Sequence, residues 1–184
     1  MVRINRVVTR GGDGGSTSLG DGARVRKDDA RIAAMGAVDE ANAAIGVLRA
    51  SGLAEPADAM LARMQNDLFD LGADLCVPGE GGDRLRLTDE PAARLEAEIG
   101  AMNAALAPLR SFVLPGGTAA AAHAHMARTI VRRAEREIAR LGAIVPVNPA
   151  LLRYLNRLSD HLFVLARTLN GTQGDVLWVP GGGR

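Results

Sequence analysis

The stretch Thr9–Gly20, TRGGDGGSTSLG, combines Gly11, Gly12, Gly14, Gly15 and Gly20 with Ser16, Thr17, Ser18 and one acid, Asp13. Glycine lets a backbone come close to a ligand, and successive backbone N–H groups form concavities that suit anions. A phosphate cradle is the chemistry such a loop fits, although the G-x-x-x-x-G-K-[ST] pattern of a P-loop is missing. Lys27 follows in ARVRKDD and is the only lysine among 22 Lys and Arg residues. An ammonium is a compact point charge that suits a phosphate oxygen where a wide guanidinium fork does not. Taken alone, Lys27 is equally compatible with an ordinary surface position.

Positive charge gathers again in HMARTIVRRAEREIARL. On a helix, Arg128, Arg132 and Glu135 share a face, Arg133 lies about 100° round from Arg132, and Arg136 and Arg140 continue the four-residue row. A solvated face laced by Arg–Glu pairs, each contributing about 0.2–0.5 kcal/mol, would look the same. In NRLSD, Asn156 and Asp160 stack one turn apart, either as internal hydrogen-bonding groups or as the lining of a site. His123, His125 and His161 have no Glu three residues before them, which argues against a di-iron bundle. No activated Ser or Cys motif accompanies them, so they read as helix-surface or capped residues. Phe112, in LRSFVLPGG, reads on its own as a core plug beneath a loop. Cys76 is the only cysteine, which excludes an internal disulfide and a Cys-cluster metal site.

These residues need elements to hold them. Residues 1–28 carry no helical period; INRVV could be extended. Ile32, Met35, Val38, Ile45 and Leu48 recur at near-helical spacing from Asp29 until Ser51-Gly52. Pro56 suits the first turn of a second helix with Leu61, Met64, Leu68, Leu71 and Leu75 as its stripe, broken by VPGEGGD. Thr88 reads as the N-cap of a third, with Asp89 and Glu90 in its first turn and Leu95, Ile99, Met102 and Leu106 as its stripe, ended by Pro108. A fourth runs from about Thr118 to Leu141, with Met126, Ile130, Ala134, Ile138 and Leu141 as its apolar positions. Asn148 caps a fifth, Pro149 takes its first position, and Leu152, Leu155, Leu162, Leu165 and Leu169 stripe it up to Gly171. The tail TQGDVLWVPGGGR looks irregular. The pattern predicts an all-α, five-helix bundle in a single domain, 1–184: a binding segment at 1–28, helices over 29–171 and a tail at 172–184.

Composition fits that class. The chain has 184 residues, is 47% hydrophobic and 23% charged, and carries a formal net charge of +1. No basic field points to nucleic acid or an anionic membrane. No apolar run of membrane length and no apolar leader segment is visible, so a reducing cytoplasm is the expected compartment.

TRGGDGGSTSLGDGARVRKDD, RRAER and NRLSD, in this order and at these separations, resemble the trimeric, helical-bundle ATP:cob(I)alamin adenosyltransferases of the PduO type. Gly11 stands where that family more often has Thr or Asn. The resemblance implies a homotrimer with ATP clamped between subunits. It places Thr9, Arg10, Gly11, Gly12, Asp13, Thr17, Ser18 and Lys27 on the loop side. Arg132, Arg133, Ala134, Glu135, Arg136 and Asn156 fall on the neighbour's side. Asp39 and Arg128 would pair across the interface, and Phe112 would face the corrin and displace the lower cobalt ligand. Mg²⁺ is implied with ATP, Asp13 and Glu135 being open to that role or to ribose and adenine contacts, and no dedicated protein metal site is expected. A cob(II)alamin reductase and an adenosylcobalamin-dependent mutase are the implied partners. Such a reaction needs no Ser, Cys or His base, because cobalt is the nucleophile. A cobalamin carrier that hands its cargo to a mutase, or a nucleotide-sensing helical module, would use similar parts.

Overall fold

Five helices take up the periodic segments in the computed structural model, which describes residues 8–79 and 84–182. They are α1 (Ala30–Arg49), α2 (Ala57–Cys76), α3 (Glu90–Asn103), α4 (Ala119–Gly142) and α5 (Pro149–Leu169). Two short strands, β1 (Ser16–Ser18) and β2 (Arg24–Arg26), pair antiparallel ahead of α1, with Thr17 opposite Val25. Three residues per strand are too few to declare a period-2 pattern, which is why the segment reads in sequence only as non-helical. Most of INRVV and residues 80–83 of VPGEGGD lie outside the described residues.

Helix starts follow cap chemistry. Asp29, Thr118 and Asn148 each accept a backbone N–H of the first turn, from Arg31 at 2.8 Å, Ala121 at 3.1 Å and Ala150 at 3.0 Å. Pro149 opens α5, and Gly171 takes a positive φ of 51° just past its end. Two boundaries differ from expectation. The cap of α3 is Asp89 rather than Thr88, whose hydroxyl instead accepts from the Glu90 N–H at 3.4 Å. That helix also stops at Asn103, before Pro108, where i→i−3 bonds from Ala105 N–H to Met102 C=O at 3.3 Å and from Leu106 N–H to Asn103 C=O at 3.1 Å replace the α-helical pattern.

The core is mainly leucine. Leu48, Leu61, Leu71, Leu151, Leu155, Leu158 and Leu162 are fully buried, each contributing about 1.5–3 kcal/mol of transfer free energy. Helix α4 is central, packed on both α1 and α5, while α2 backs α1 and α3 backs α5. Its central position follows from its small residues: Ala121, Ala124, Ala127 and Ala134 are fully buried and let three helices approach closely. This corrects the expected stripe, because Met126 is 58% exposed and Ile130 only half-buried. The buried line runs through the alanines, Val131, Ile138 and Leu141.

The histidines are also corrected. His125 and His161 are 1% and 0% exposed, so neither is a surface group. His161 Nε2 lies 2.9 Å from Glu98 Oε2, and Glu98 also accepts from Arg63 at 2.8 Å. Burial pushes the Glu98 carboxyl up, but its His161 and Arg63 partners outweigh that and hold it below its ordinary range. Nearby, the buried Tyr154 hydroxyl donates to Asp67 at 3.0 Å, and Arg94 pairs with the same carboxylate. Sequence periodicity cannot see these partners, because they come from α2 and α3 onto α5.

Candidate functional site

The glycine-rich loop is shaped by its own backbone. Asp13 N–H donates to Arg10 C=O at 3.3 Å, Gly15 N–H to Gly12 C=O at 3.2 Å, and Lys27 N–H to Gly15 C=O at 2.9 Å. Arg10 takes a φ of 60°, a conformation that side-chain-bearing residues rarely adopt. Among the described residues, the N–H groups of Gly11, Gly12 and Gly14 have no partner within the chain. They are free donors on an exposed turn. The Lys27 ammonium lies over the same turn: a Cβ at Gly12 would sit 3.0 Å from Nζ. The structure therefore brings Lys27 onto the loop it follows.

Arg24, which the sequence reading passed over, ties the cradle together. Its guanidinium donates to Gly11 C=O at 2.9 Å, to the Ser16 hydroxyl, and to the Ser18 hydroxyl at 3.4 Å. The available signal was the alternation in ARVRK, which puts Arg24 and Arg26 on one face of a strand. The hairpin is fixed to the bundle at Gly20, whose N–H donates to Cys76 C=O at 2.9 Å and whose missing Cβ would come within 2.7 Å of Val77 Cγ2.

The arginine helix presents a second cationic surface. Arg132, Arg133 and Arg136 are exposed. Arg136 Nη1 donates to Arg132 C=O at 3.0 Å, and Arg133 pairs with Glu40 of α1. Among the described residues the Arg132 guanidinium has no hydrogen-bond or ion-pair partner. Glu135 accepts from Asn156 Nδ2 at 3.1 Å, so RRAER and NRLSD do meet, across α4 and α5. Arg157 then donates to Asn156 Oδ1. Asp160 is exposed, and the same Arg157 guanidinium reaches it at 3.2 Å. The Ala134 side chain is wholly within the core.

Arg128 is half-buried with its Nε unpartnered. Burial, reinforced by the neighbouring Arg132 charge, lowers its pKa from the ordinary guanidinium value. Asp39 is exposed on α1 and also without a partner among the described residues. No hydrogen bond or ion pair among the described residues joins the hairpin to α4 or α5.

Phe112 sits on the loop between α3 and α4, and it is 77% exposed. This rules out the core-plug reading. After a 3-10 turn at Gly171–Gln173 the described part of the tail forms no further helix or strand, and it meets this loop through a single Val113–Leu177 bridge. Leu114 N–H donates to Val176 C=O at 2.8 Å and Trp178 N–H to Phe112 C=O at 2.7 Å.

A helical bundle with a polar glycine cradle, an arginine row and an exposed aromatic loop defines a class of helical nucleotide-handling proteins, and comparison narrows it. The family model for cobalamin adenosyltransferases matches residues 7–169. A cobalamin adenosyltransferase of Cupriavidus metallidurans is 49% identical over 179 residues, covering 96% of this chain and 95% of that one. An F112A variant of a PduO-type ATP:corrinoid adenosyltransferase from Lactobacillus reuteri, complexed with cobalamin and ATP, matches with a TM-score of 0.89. It is 34% identical and covers 94% of this chain and 99% of that chain. An R132K variant from the same organism, complexed with ATP, gives 0.87 at 35% identity, covering 94% and 100%. The chain belongs to the cobalamin adenosyltransferase family.

Proposed function

We propose that this chain, acting as a single catalytic domain, transfers the 5′-deoxyadenosyl group of ATP to the cobalt of cob(I)alamin, giving adenosylcobalamin and triphosphate. The cobalt electron pair forms the Co–C5′ bond while the C5′–O bond breaks, and triphosphate leaves with the electron pair of that broken C5′–O bond. The protein's work is alignment and neutralisation of a polyanionic leaving group. The observation that carries the reading is the Lys27 ammonium lying close to Gly12, 3.0 Å from where a Cβ there would sit, on a turn whose Gly11, Gly12 and Gly14 N–H groups have no partner among the described residues. In this reading Thr9, Arg10, Gly11, Gly12, Asp13, Thr17, Ser18 and Lys27 bind ATP from one subunit. Arg132, Arg133, Glu135, Arg136 and Asn156 bind it from the next, while Ala134 packs the helix that presents them. The Arg132 guanidinium, which has no partner among the described residues, and the lack among those residues of any hydrogen bond or ion pair between the hairpin and α4 or α5 support this division.

A homotrimer follows, with Arg128 and Asp39 as the pair across its interface. Mg²⁺ would arrive on the triphosphate oxygens with at most one or two carboxylates, since among the described residues no three His, Cys, Asp or Glu side chains gather as a cage. Phe112 is assigned to the lower face of the corrin, where an apolar ring would exclude the axial ligand and ease reduction of Co(II). Phe and Arg are the residue types altered in the two Lactobacillus reuteri variants, in that protein's own numbering, which agrees with giving a Phe and an Arg of this chain leading roles. Among the described residues no helix is long and apolar enough to cross a membrane. We place the enzyme in the cytoplasm, drawing cob(II)alamin from a reductase and supplying a mutase.

The test is to mix the protein with ATP, Mg²⁺ and chemically reduced cobalamin and follow the corrin spectrum. Catalytic turnover with triphosphate release supports the proposal. A stoichiometric corrin change without turnover supports a carrier, and no corrin change supports a nucleotide sensor.

A further inference from the structure

The tail is built as a mount for the Phe112 loop. Arg167, 7% exposed, donates from Nε to Asp175 at 2.8 Å and from Nη2 to the Ala107 carbonyl at 2.7 Å. It thereby fixes the tail and the start of the loop to the same helix. Asn170, 2% exposed, accepts from the Thr118 N–H at 3.0 Å and donates to Asp175 at 3.4 Å, fixing the end of the loop. Gly117 makes room for it, with φ at 99° and the position of an added Cβ only 2.0 Å from Asn170 Oδ1. Between these anchors the loop and tail segments are joined by the Leu114–Val176 and Trp178–Phe112 backbone hydrogen bonds and by Ser111, whose hydroxyl donates to the Trp178 carbonyl at 2.7 Å.

The outcome of this anchoring is one aromatic contact. The rings of Phe112 and Trp178 lie 5.9 Å apart at 61°, edge to face. Among the described residues Trp178 is the only aromatic partner of Phe112, and Trp178 is itself 44% exposed. An indole this exposed adds little to the core, whereas a solvent-facing Phe ring without a neighbour would sample several rotamers.

We propose that Trp178 is a positioning residue: its indole holds the exposed Phe112 ring in the one direction from which it can occupy the axial side of a bound corrin. This rests on the reading that Phe112 faces the corrin. Trp178 acts through Phe112 and does not bind ATP. An edge-to-face pair of this kind shifts a conformational ratio by about two- to tenfold.

The experiment compares wild type with Trp178→Ala, Trp178→Phe and Phe112→Ala, each loaded with cob(II)alamin and ATP. Electron paramagnetic resonance reads the ratio of four- to five-coordinate Co(II). Trp178→Ala is expected to lower that ratio about two- to tenfold, with the Michaelis constant for ATP and the melting temperature unchanged. Trp178→Phe retains an aromatic edge and is expected to keep most of the ratio. A wild-type ratio in Trp178→Ala, while Phe112→Ala loses the four-coordinate signal, would overturn the inference and leave the Phe112 reading standing. Equal losses in Trp178→Phe and Trp178→Ala would also overturn it. A wild-type ratio in Phe112→Ala would bring down the Phe112 reading and this inference with it.

Discussion

Two loops flank the bundle, and they are built from opposite chemistry. The N-terminal hairpin is polar: glycine N–H groups, three hydroxyls and Lys27, held in shape by Arg24. The Phe112 loop and its tail strap are apolar on their open side, with Phe112, Leu114, Val176, Leu177, Trp178 and Val179 all exposed. Both are pinned to helix ends by hydrogen bonds from buried or backbone groups, at Cys76 in one case and at Arg167 and Asn170 in the other. The contrast matches two substrates of opposite character, a polyanion and a macrocycle. In the proposed function each loop takes one substrate, and no acid–base constellation is needed because the nucleophile arrives with one of them.

The largest effect tests whether the cradle finds its counterpart on another subunit. A pair buried at an interface and broken on one side typically costs about 3–5 kcal/mol. Arg128→Ala and Asp39→Asn are each expected to weaken the proposed trimer in analytical ultracentrifugation and to lower activity in step with it. A fully active monomer would collapse the distinction between an own-subunit cradle and a neighbour's arginine row.

Next in size is Arg132. Removing a charged donor from a developing anion costs about 10²–10³-fold in turnover. Arg132→Ala should show that loss at unchanged helix content by circular dichroism. Arg132→Lys should recover only part of it, because a point charge cannot copy a planar fork. Lys27→Ala should act on ATP as well, raising its Michaelis constant about ten- to a hundredfold. Neither substitution should alter the coordination state of cob(II)alamin. An effect on cobalt from either would show that the two loops do not divide the substrates. Gly12→Ala should act in the same direction as Lys27→Ala but less strongly, since its Cβ would press on the flexible end of Lys27.

The fold was legible because α-helical stripes and caps are local: Asp29, Thr118, Asn148 and Pro149 mark the starts they appear to mark. The stripe of α4 was misjudged because close packing there relies on alanine, whereas periodicity gives most weight to large side chains such as Met126. At the site, spacing alone left Lys27 open to an ordinary surface position, and it was the resemblance that put Lys27, Glu135 and Asn156 in the site; the Glu135–Asn156 contact was not foreseen. Arg24 and Trp178 were missed for a common reason. Their importance lies in what they touch across a hairpin and a loop-tail bridge, and no spacing rule encodes either contact. Phe112 alone suggested a core ring; only its exposure separates a ligand-facing ring from a buried one.

The smallest expected effect concerns His125, buried beside Arg128 and against Phe163 at 6.1 Å. Burial, with the Arg128 charge adding to it, lowers its pKa from the ordinary 6.5. Unfolding then frees the imidazole to bind a proton, so its contribution is intact above about pH 6.5 and is lost as pH falls through the lower folded value. Melting temperature measured from pH 7.5 to 5 should fall in wild type, and that histidine-linked part of the fall should be absent in His125→Leu. A wild-type slope in His125→Leu would assign the pH dependence to other groups.

The division of labour between the two loops is tested most directly by Phe112→Ala under two reduction schemes. In one, cob(II)alamin must be reduced by a mild enzymatic donor during turnover; in the other, cob(I)alamin is generated chemically beforehand. Because the ring is 77% exposed, its truncation should leave the melting temperature nearly unchanged. The variant should bind ATP normally, fail with the enzymatic donor and recover most of its rate with pre-formed cob(I)alamin. Equal loss under both schemes, with a lowered melting temperature, would contradict the account and make Phe112 a packing residue.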